Sequence, residues 1–320
     1  MRFAKLLGLA TGLALAAVAQ AQNWPQKPVK VLIPFPPGGT TDIIARILSQ
    51  KLSDAWGQAL VIDNRGGAAG NIAGAEAAKA PPDGYTLFFT SGSVVTANEH
   101  IYRNMTFAPE RDFVGITNCA TGPQVLVVPA ASRFRTTKEL IAEARGSPGK
   151  LNYGHAGIGS QTHLAAENFL YSAGIDARHV PYKGEAPAIT DIVGGQLDFG
   201  VVNLAASISF INGGKLRALG VTSRARMTQL PETPTIAETL PGFENAGWFG
   251  FVAPRGTPRE IIDRVYRDTA KILQTTELKA RLYAQGMTPV GDAPEDFEKY
   301  MRSERERWAK IVAARGIVVQ

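Results

Sequence analysis

The chain has 320 residues, with 34 Lys and Arg against 28 Asp and Glu, and a formal net charge of +6. Its basic residues are interleaved with acids, which argues against a nucleic-acid partner, and its single cysteine, Cys119, excludes an internal disulfide. Cys119 is expected to be a small buried apolar residue.

Residues 1–21 open with MRFAK, continue through the apolar run LLGLATGLALAAVA and close on Ala19-Gln20-Ala21. A charged start, a short apolar middle and a small-residue end are the parts of a secretory signal, here cleaved near Ala21. The run is too short to cross a bilayer, and no later stretch approaches the roughly 20 apolar residues that a membrane helix needs. Removing Arg2 and Lys5 with this leader lowers the formal charge from +6 to +4 and leaves 299 residues, a size at which one core gives way to two domains. An exported protein that does not span the membrane is expected.

The first elements follow at once. VKVLIPFPPGGTTDIIARIL, residues 29–48, runs from an apolar strand through a proline- and glycine-rich turn into a helix whose Ile43, Ile44, Ile47, Leu48 and Leu52 share one face. LVID (60–63) reads as a second strand, NRGGAAGN as a loop, IAGAEAAKA as a helix and PPDGYTLFFT as a turn and third strand. DFVGITNCATGPQVLVVPAA is an extended segment suited to crossing between two lobes. A second β-α-β-α-β unit begins about 120 residues after the first: KLNYGHAGIGSQTHLAAENFLYSAG, then HVPYKG, EAPAITDIVGG and QLDFGVVNL. The offset aligns Ile43 with His163 and Val61 with Pro181, without repeating residue identity.

The return to the first lobe is read through KLRALGVTSRARMTQLP to GWFGFVAP. Thr257-Pro258-Arg259-Glu260 has capping-box spacing ahead of a helix with Ile261, Ile262, Val265, Ile272 and Leu273 on its apolar face. A last helix follows APEDFEKY and stops at Gly316, and RSERERWAK within it reads as a solvated face. These helices are expected to pack back on the first lobe. The lobes then comprise residues 22–122 with 223–320, and residues 123–222.

The opening turn has a chemistry of its own. A strand turning tightly into a helix points the unpaired N–H groups of the helix outward at the strand's carboxyl end, where open α/β sheets bind ligands. Gly38 and Gly39 permit close approach, and Thr40 and Thr41 supply hydroxyls; Gly157, Gly159, Ser160 and Thr162 repeat the arrangement in the second lobe. Neither turn carries a phosphate-binding lysine or a complete G-x-G-x-x-G fingerprint, so a small carboxylate fits better than a nucleotide. Each helix-end interaction contributes only about 0.3–1 kcal/mol, rising toward about 2 when partly buried, so affinity requires both lobes.

WPQKPVKVLIPFPPGGTTDIIAR, GQALVIDNRGGAAGN, PPDGYTL, LNYGHAGIGSQTHLAAENF, HVPYKGEAPAITDIVGGQLD and GWFGFVAPRGTP together resemble successive blocks of the Bug-type, or TctC-like, periplasmic solute-binding receptors, over essentially the whole mature chain. The resemblance implies an α/β, two-lobed periplasmic-binding-protein (type II, Venus flytrap) fold, each lobe a mainly parallel sheet flanked by helices. It implies a periplasmic, monomeric protein without cofactor that captures a small carboxylate and serves the membrane subunits of a tripartite tricarboxylate transporter. One jaw is then Phe35, Pro37, Gly39, Thr40, Thr41 and Asp42, and the other Ala156, Gly157, Gly159, Ser160 and His163. Two positions depart from the family pattern: His155 stands where serine is common, and Gly66 where proline is common.

Several residues keep two readings. Asp42 either favours its helix dipole or faces the ligand, receiving an ammonium or repelling a further carboxylate. His155 either reaches the ligand or lies at the rim, and His163 contacts it or caps its helix. Ser91, Ser93 and Asn98 follow the third strand at the cleft floor, with Asn203 at the comparable place in the second lobe. Tyr182 adds a hydrogen bond beside a solvent-facing Lys183, and Phe35 packs on the ligand's carbon skeleton or staples the turn. Trp248, Phe249 and Phe251 read as core or hinge packing. An enzyme is the rival class. However, Ser160 has no G-x-S-x-G elbow, and His100, His155, His163 and His179 are scattered without a metal-ligand spacing. A carboxylate-sensing partner of a membrane receptor would use the same cleft.

Overall fold

The computed structural model describes residues 24–319, and the expected leader lies outside them. In the first lobe, β1 (Val29–Ile33) buries every residue except Lys30. The helix α1 (Thr40–Trp56) follows, then β2 (Leu60–Asn64), α2 (Asn71–Ala78) and β3 (Thr86–Ser91). β1 pairs in parallel with β2 on one side and β3 on the other. The short helices α3 (Gly92–Thr96), α4 (Asn98–Ile101) and α5 (Pro109–Asp112) lead into β4 (Phe113–Pro129), a strand of 17 residues.

The second lobe follows with α6 (Thr137–Gly146), β5 (Asn152–His155), α7 (Gln161–Ala173), β6 (Arg178–Pro181), α8 (Glu185–Val193), β7 (Gly200–Asn203), α9 (Leu204–Asn212) and β8 (Leu216–Val221). The chain then returns through β9 (Ala246–Pro254), α10 (Arg259–Leu273), α11 (Thr276–Ala284), β10 (Thr288–Pro289) and α12 (Pro294–Arg315).

Two strands join the lobes. Phe113 to Pro123 of β4 pair antiparallel with β9, whereas Gln124 to Val127 pair antiparallel with β7 and the strand's end pairs with β8. The first sheet runs β2-β1-β3-β9-β4-β10. The second runs β6-β5-β7-β4-β8, with β5 reaching β7 through a Tyr153–Phe199 bridge. In each lobe the antiparallel strand beside the third one is a segment of the chain that has just crossed from the other lobe. The duplicated units expected from the 120-residue offset therefore share one topology, but each sheet is mixed rather than mainly parallel: β2-β1-β3 and β6-β5-β7 run parallel, and the pairings made by β4 and β9 are antiparallel because these strands cross between the lobes.

Two expectations are corrected. Leu216–Val221 is a strand of the second sheet rather than part of the return path, because its backbone pairs antiparallel with β4. Thr257 does not cap α10: its hydroxyl donates to the Pro254 carbonyl at 2.8 Å, leaving Pro258 at the cap position. The capping box forms elsewhere, between Thr235 and Glu238.

The apolar pattern places the cores. Ile44, Ile47, Leu48 and Leu52 of α1 are buried against the first sheet, with Ile43 at the margin. Cys119 is buried in the same core, and burial pushes its thiol well above its ordinary range. α12 lays Phe297 against Trp248 with ring centroids 5.2 Å apart, and a Cβ added at Gly115 would meet the Phe297 ring at 3.0 Å. Farther along, Trp308 and Val312 join Ala97 and Ile101 of the first lobe to Leu164 of the second in one apolar cluster. Phe297→Ala should therefore lower unfolding free energy by about 3–5 kcal/mol in urea titrations, whereas a loss below about 1 kcal/mol would show that the helix is not anchored there.

Candidate functional site

The turn after β1 brings α1 to the cleft with its N-terminus exposed to the other lobe. Gly38 adopts φ 87, a left-handed conformation that favours glycine, and Gly39 is the extended cap with no side chain of its own to offer. What meets this helix start is a carboxylate of the protein itself. Thr40 N–H and Thr40 Oγ1 donate to Glu185 Oε2 at 3.2 and 3.0 Å, and Asn203 N–H donates to Glu185 Oε1 at 2.6 Å. Glu185 opens α8 in the second lobe and is 5% exposed, so its charge is held by donors from both lobes. Burial pushes its carboxyl above the ordinary range, and hydrogen bonds from Thr40 and Asn203 oppose this.

The second jaw is closed internally. Ser160 caps α7 by accepting from His163 N–H at 3.3 Å, and the Ser160 and Thr162 hydroxyls lie 3.1 Å apart. Ala156 N–H donates to Thr162 Oγ1 at 2.9 Å. The Gly157 and Gly159 amides, expected to face a ligand, donate instead to His155 Nδ1 and His163 Nδ1, both at 3.2 Å. Gly157 has another role. With φ 120, it sits where an added Cβ would meet the Ala69 backbone at 3.3 Å, at the contact between lobes.

Three histidines scattered in sequence come together in space. His155 Nε2 lies 3.2 Å from His179 Nδ1, and the His155 and His163 rings are 4.3 Å apart. Because Nδ1 of both His155 and His163 accepts a backbone N–H, each carries its proton on Nε2. The ligand nitrogens of the three imidazoles lie within 4.8 Å of one another, close enough to share a metal ion, but Nδ1 of His155 and of His163 is engaged by backbone N–H groups and His155 Nε2 by His179. Burial, followed by the neighbouring histidines, lowers His155 to about 2. Burial lowers His163 to about 4, with His179 adding to it and Glu167 opposing. His155 is therefore a neutral core residue of the second lobe and not a ligand group at the rim.

Between the jaws lies a small cavity of about 20 Å³, lined by Phe35, Gly39, Thr40, Thr41, Ser91, Ala156, Ser160, Gln161, Thr162, Glu185, Asn203 and Phe249. Eight sequence-predicted site residues are among them. Pro37, Asp42, Ser93, Asn98, His155, Gly157, Gly159, His163 and Tyr182 are not. Asp42 accepts from Gly38 N–H at 3.0 Å, Arg46 Nε at 2.9 Å and Asn64 Nδ2 at 3.1 Å. Burial raises its carboxyl, but these bonds together outweigh burial and hold it below its ordinary value. Asn98 is turned to Ala69 O and Asn71, Ser93 pairs with Ser91 at 3.3 Å, Tyr182 donates to Asp191 at 2.5 Å, and Pro37 is exposed.

Sequence reasoning missed Gln161 and Glu185 as lining residues, named Thr162 only as part of the second turn, and read Phe249 as core or hinge packing. The available signal for Glu185 was its place in YKGE, just beyond the carboxyl end of a strand. Gln161 Nε2 donates to Trp248 O at 2.9 Å across the cleft, while its buried Oε1 receives no hydrogen bond.

The family model for "Tripartite tricarboxylate transporter family receptor" matches residues 44–317. The chain belongs to this receptor family. Among its relatives is Protein BugT of Bordetella pertussis, 35% identical over 304 residues, covering 94% of this chain and 93% of that protein. The solved structure of R. palustris Rpa4515 with adipate superimposes with a TM-score of 0.90 at 38% identity, covering 92% of this chain and 99% of that one. MatC (Rpa3494) from Rhodopseudomonas palustris with bound malate gives 0.85 at 28% identity, covering 90% and 100%. Members of the receptor family bind solutes and are not enzymes. In this chain Ser160 Oγ meets the backbone of His163 rather than an imidazole base. No described helix is long and apolar enough to cross a membrane.

The neutral histidines give the fold a pH dependence. Both folded values lie below the unfolded value near 6.5, so the unfolded chain takes up protons that the fold refuses. Their stabilisation is complete above about pH 6.5 and is lost as pH falls toward 4, at up to about 1.4 kcal/mol per pH unit for each histidine. Urea midpoints should fall between pH 7 and 5, and His155→Ser should flatten that slope. A slope unchanged in the variant contradicts the neutral buried assignment.

Proposed function

We propose that this chain is a periplasmic receptor that captures a small carboxylate-bearing solute between its lobes and delivers it to the membrane subunits of a tripartite tricarboxylate-type transporter. The observation that carries this reading is the interlobe cavity, placed where the starts of α1 and α7 converge. Adipate and malate in the related structures support a carboxylate as the ligand class. The leader-like residues 1–21 support export.

Closure provides the affinity. The lobes, residues 22–122 with 223–320 and residues 123–222, pivot where β4 changes partner between Pro123 and Gln124. Thr222 adjoins this pivot: its hydroxyl accepts from Gln124 N–H at 2.8 Å. The start of α7, with Ser160 and Thr162, is the seat for the ligand carboxylate, because a helix N-terminus offers N–H donors and a favourable dipole. Phe35, Ala156 and Phe249 supply apolar surface for the carbon skeleton.

Isothermal titration of the mature protein with a series of small carboxylates tests this reading. At least one should bind, and Gly157→Val should weaken it tenfold or more, about 1.4 kcal/mol, without a comparable loss of thermal stability. No binding across the series, or undiminished affinity in the variant, contradicts the proposal.

A further inference from the structure

Among the described residues that line the cavity, Glu185 is the only ionisable one, and none is Lys, Arg or His. A ligand anion there depends on helix starts and neutral donors. One such seat, at Thr40, already holds the Glu185 carboxylate, with Thr40 donating to one oxygen and Asn203 N–H to the other. Backbone N–H donors at both oxygens favour the ionised acid. The cleft thus contains one built-in acidic side chain, 5% exposed, and one remaining helix start, that of α7. A second observation has the same sign. Gln161 also lines the cavity, and with its Nε2 committed to Trp248 O, its buried Oε1, packed beside Gly247, is an acceptor without a donor.

Given the receptor reading above, on which this step rests, we infer that Glu185 selects the ligand. The cleft takes a solute with a single carboxylate, seated at the α7 start, whose far end carries an ammonium or another hydrogen-bond donor. It disfavours a linear dicarboxylate, because the second carboxylate finds its seat occupied and meets the buried Glu185 carboxylate. An ammonium at the same place is attracted to Glu185 and can donate to its free acceptor capacity. Specificity arises here by repulsion of the wrong ligand as much as by attraction of the right one.

Matched ligand pairs isolate the effect. Succinate and β-alanine, glutarate and 4-aminobutanoate, and adipate and 5-aminopentanoate each keep chain length while exchanging one carboxylate for an ammonium. Titration calorimetry of the mature protein at pH 8 should show the amino acid favoured at least tenfold over its diacid in the pair of best-fitting length. Glu185→Gln and Glu185→Ala, checked for folding by circular dichroism, should each reduce that preference at least tenfold by losing the amino acid, gaining the diacid, or both. Wild-type protein binding the diacid as tightly as the amino acid, or variants keeping the preference, overturns the inference while leaving the carboxylate receptor intact. No binding by any member of either series contradicts the receptor reading itself, and the inference with it.

Discussion

A buried carboxyl group with no cationic partner among the described residues organises this molecule. Glu185 begins a helix in one lobe and accepts hydrogen bonds from Thr40 at the start of a helix in the other. Placing a carboxylate out of water without a counter-ion is unfavourable. Here the cost is offset by charge-assisted hydrogen bonds and by the positive ends of helix dipoles, each contributing about 0.3–2 kcal/mol. These donors belong to both lobes, so the charge is satisfied only when the lobes meet. Other contacts share this dependence: Gln161 Nε2 to Trp248 O at 2.9 Å, Tyr102 Oη to Ile158 O at 2.6 Å, and the close approach of Gly157 to Ala69.

The hinge is wired to the same contact. Asn245 Nδ2 donates to Gln124 Oε1, Gln124 Nε2 donates to Asn203 Oδ1, and Asn203 N–H donates to Glu185, with separations of 2.9, 2.9 and 2.6 Å. Buried polar groups so connected fix a unique arrangement, because breaking any link leaves a desolvated donor or acceptor unmatched. Gln124 is where β4 leaves one sheet and joins the other. A single hydrogen-bond path therefore runs from the pivot to the jaw, which gives lobe rotation and closure of the cleft a shared set of groups.

Much of the architecture was legible from short-range signals. Glycine pairs after β1 and β5, the apolar period of α1 and the 120-residue offset all report on backbone geometry that the sequence encodes locally. The candidate site was legible only where backbone position decides it, as at Gly39, Thr40, Ala156 and Ser160. Side-chain direction was not. Asp42 turns to Arg46 and Asn64 because an i,i+4 partner on its own helix is nearer than the cleft. His155 and His163 turn inward to cap the glycine amides that were expected to hold a ligand. Glu185 is 145 residues from Thr40, and a contact of that separation leaves no periodicity to read. Thr257 shows the same limit at short range: a capping pattern was present, but the nearby Pro254 carbonyl claimed the hydroxyl.

Membership in the receptor family and an acidic residue inside the cleft pull toward different ligands, since a neighbouring structure holds adipate and this cavity wall carries a carboxylate of its own. The two are reconciled if one helix start receives the solute and the other receives the protein. A crystal structure of the mature protein with a bound carboxylate tests that division most directly. The account predicts the ligand carboxylate against Ser160 and Thr162, with Glu185 still hydrogen-bonded to Thr40. A ligand carboxylate on Thr40 with Glu185 displaced, or a ligand bound outside the cleft, contradicts it.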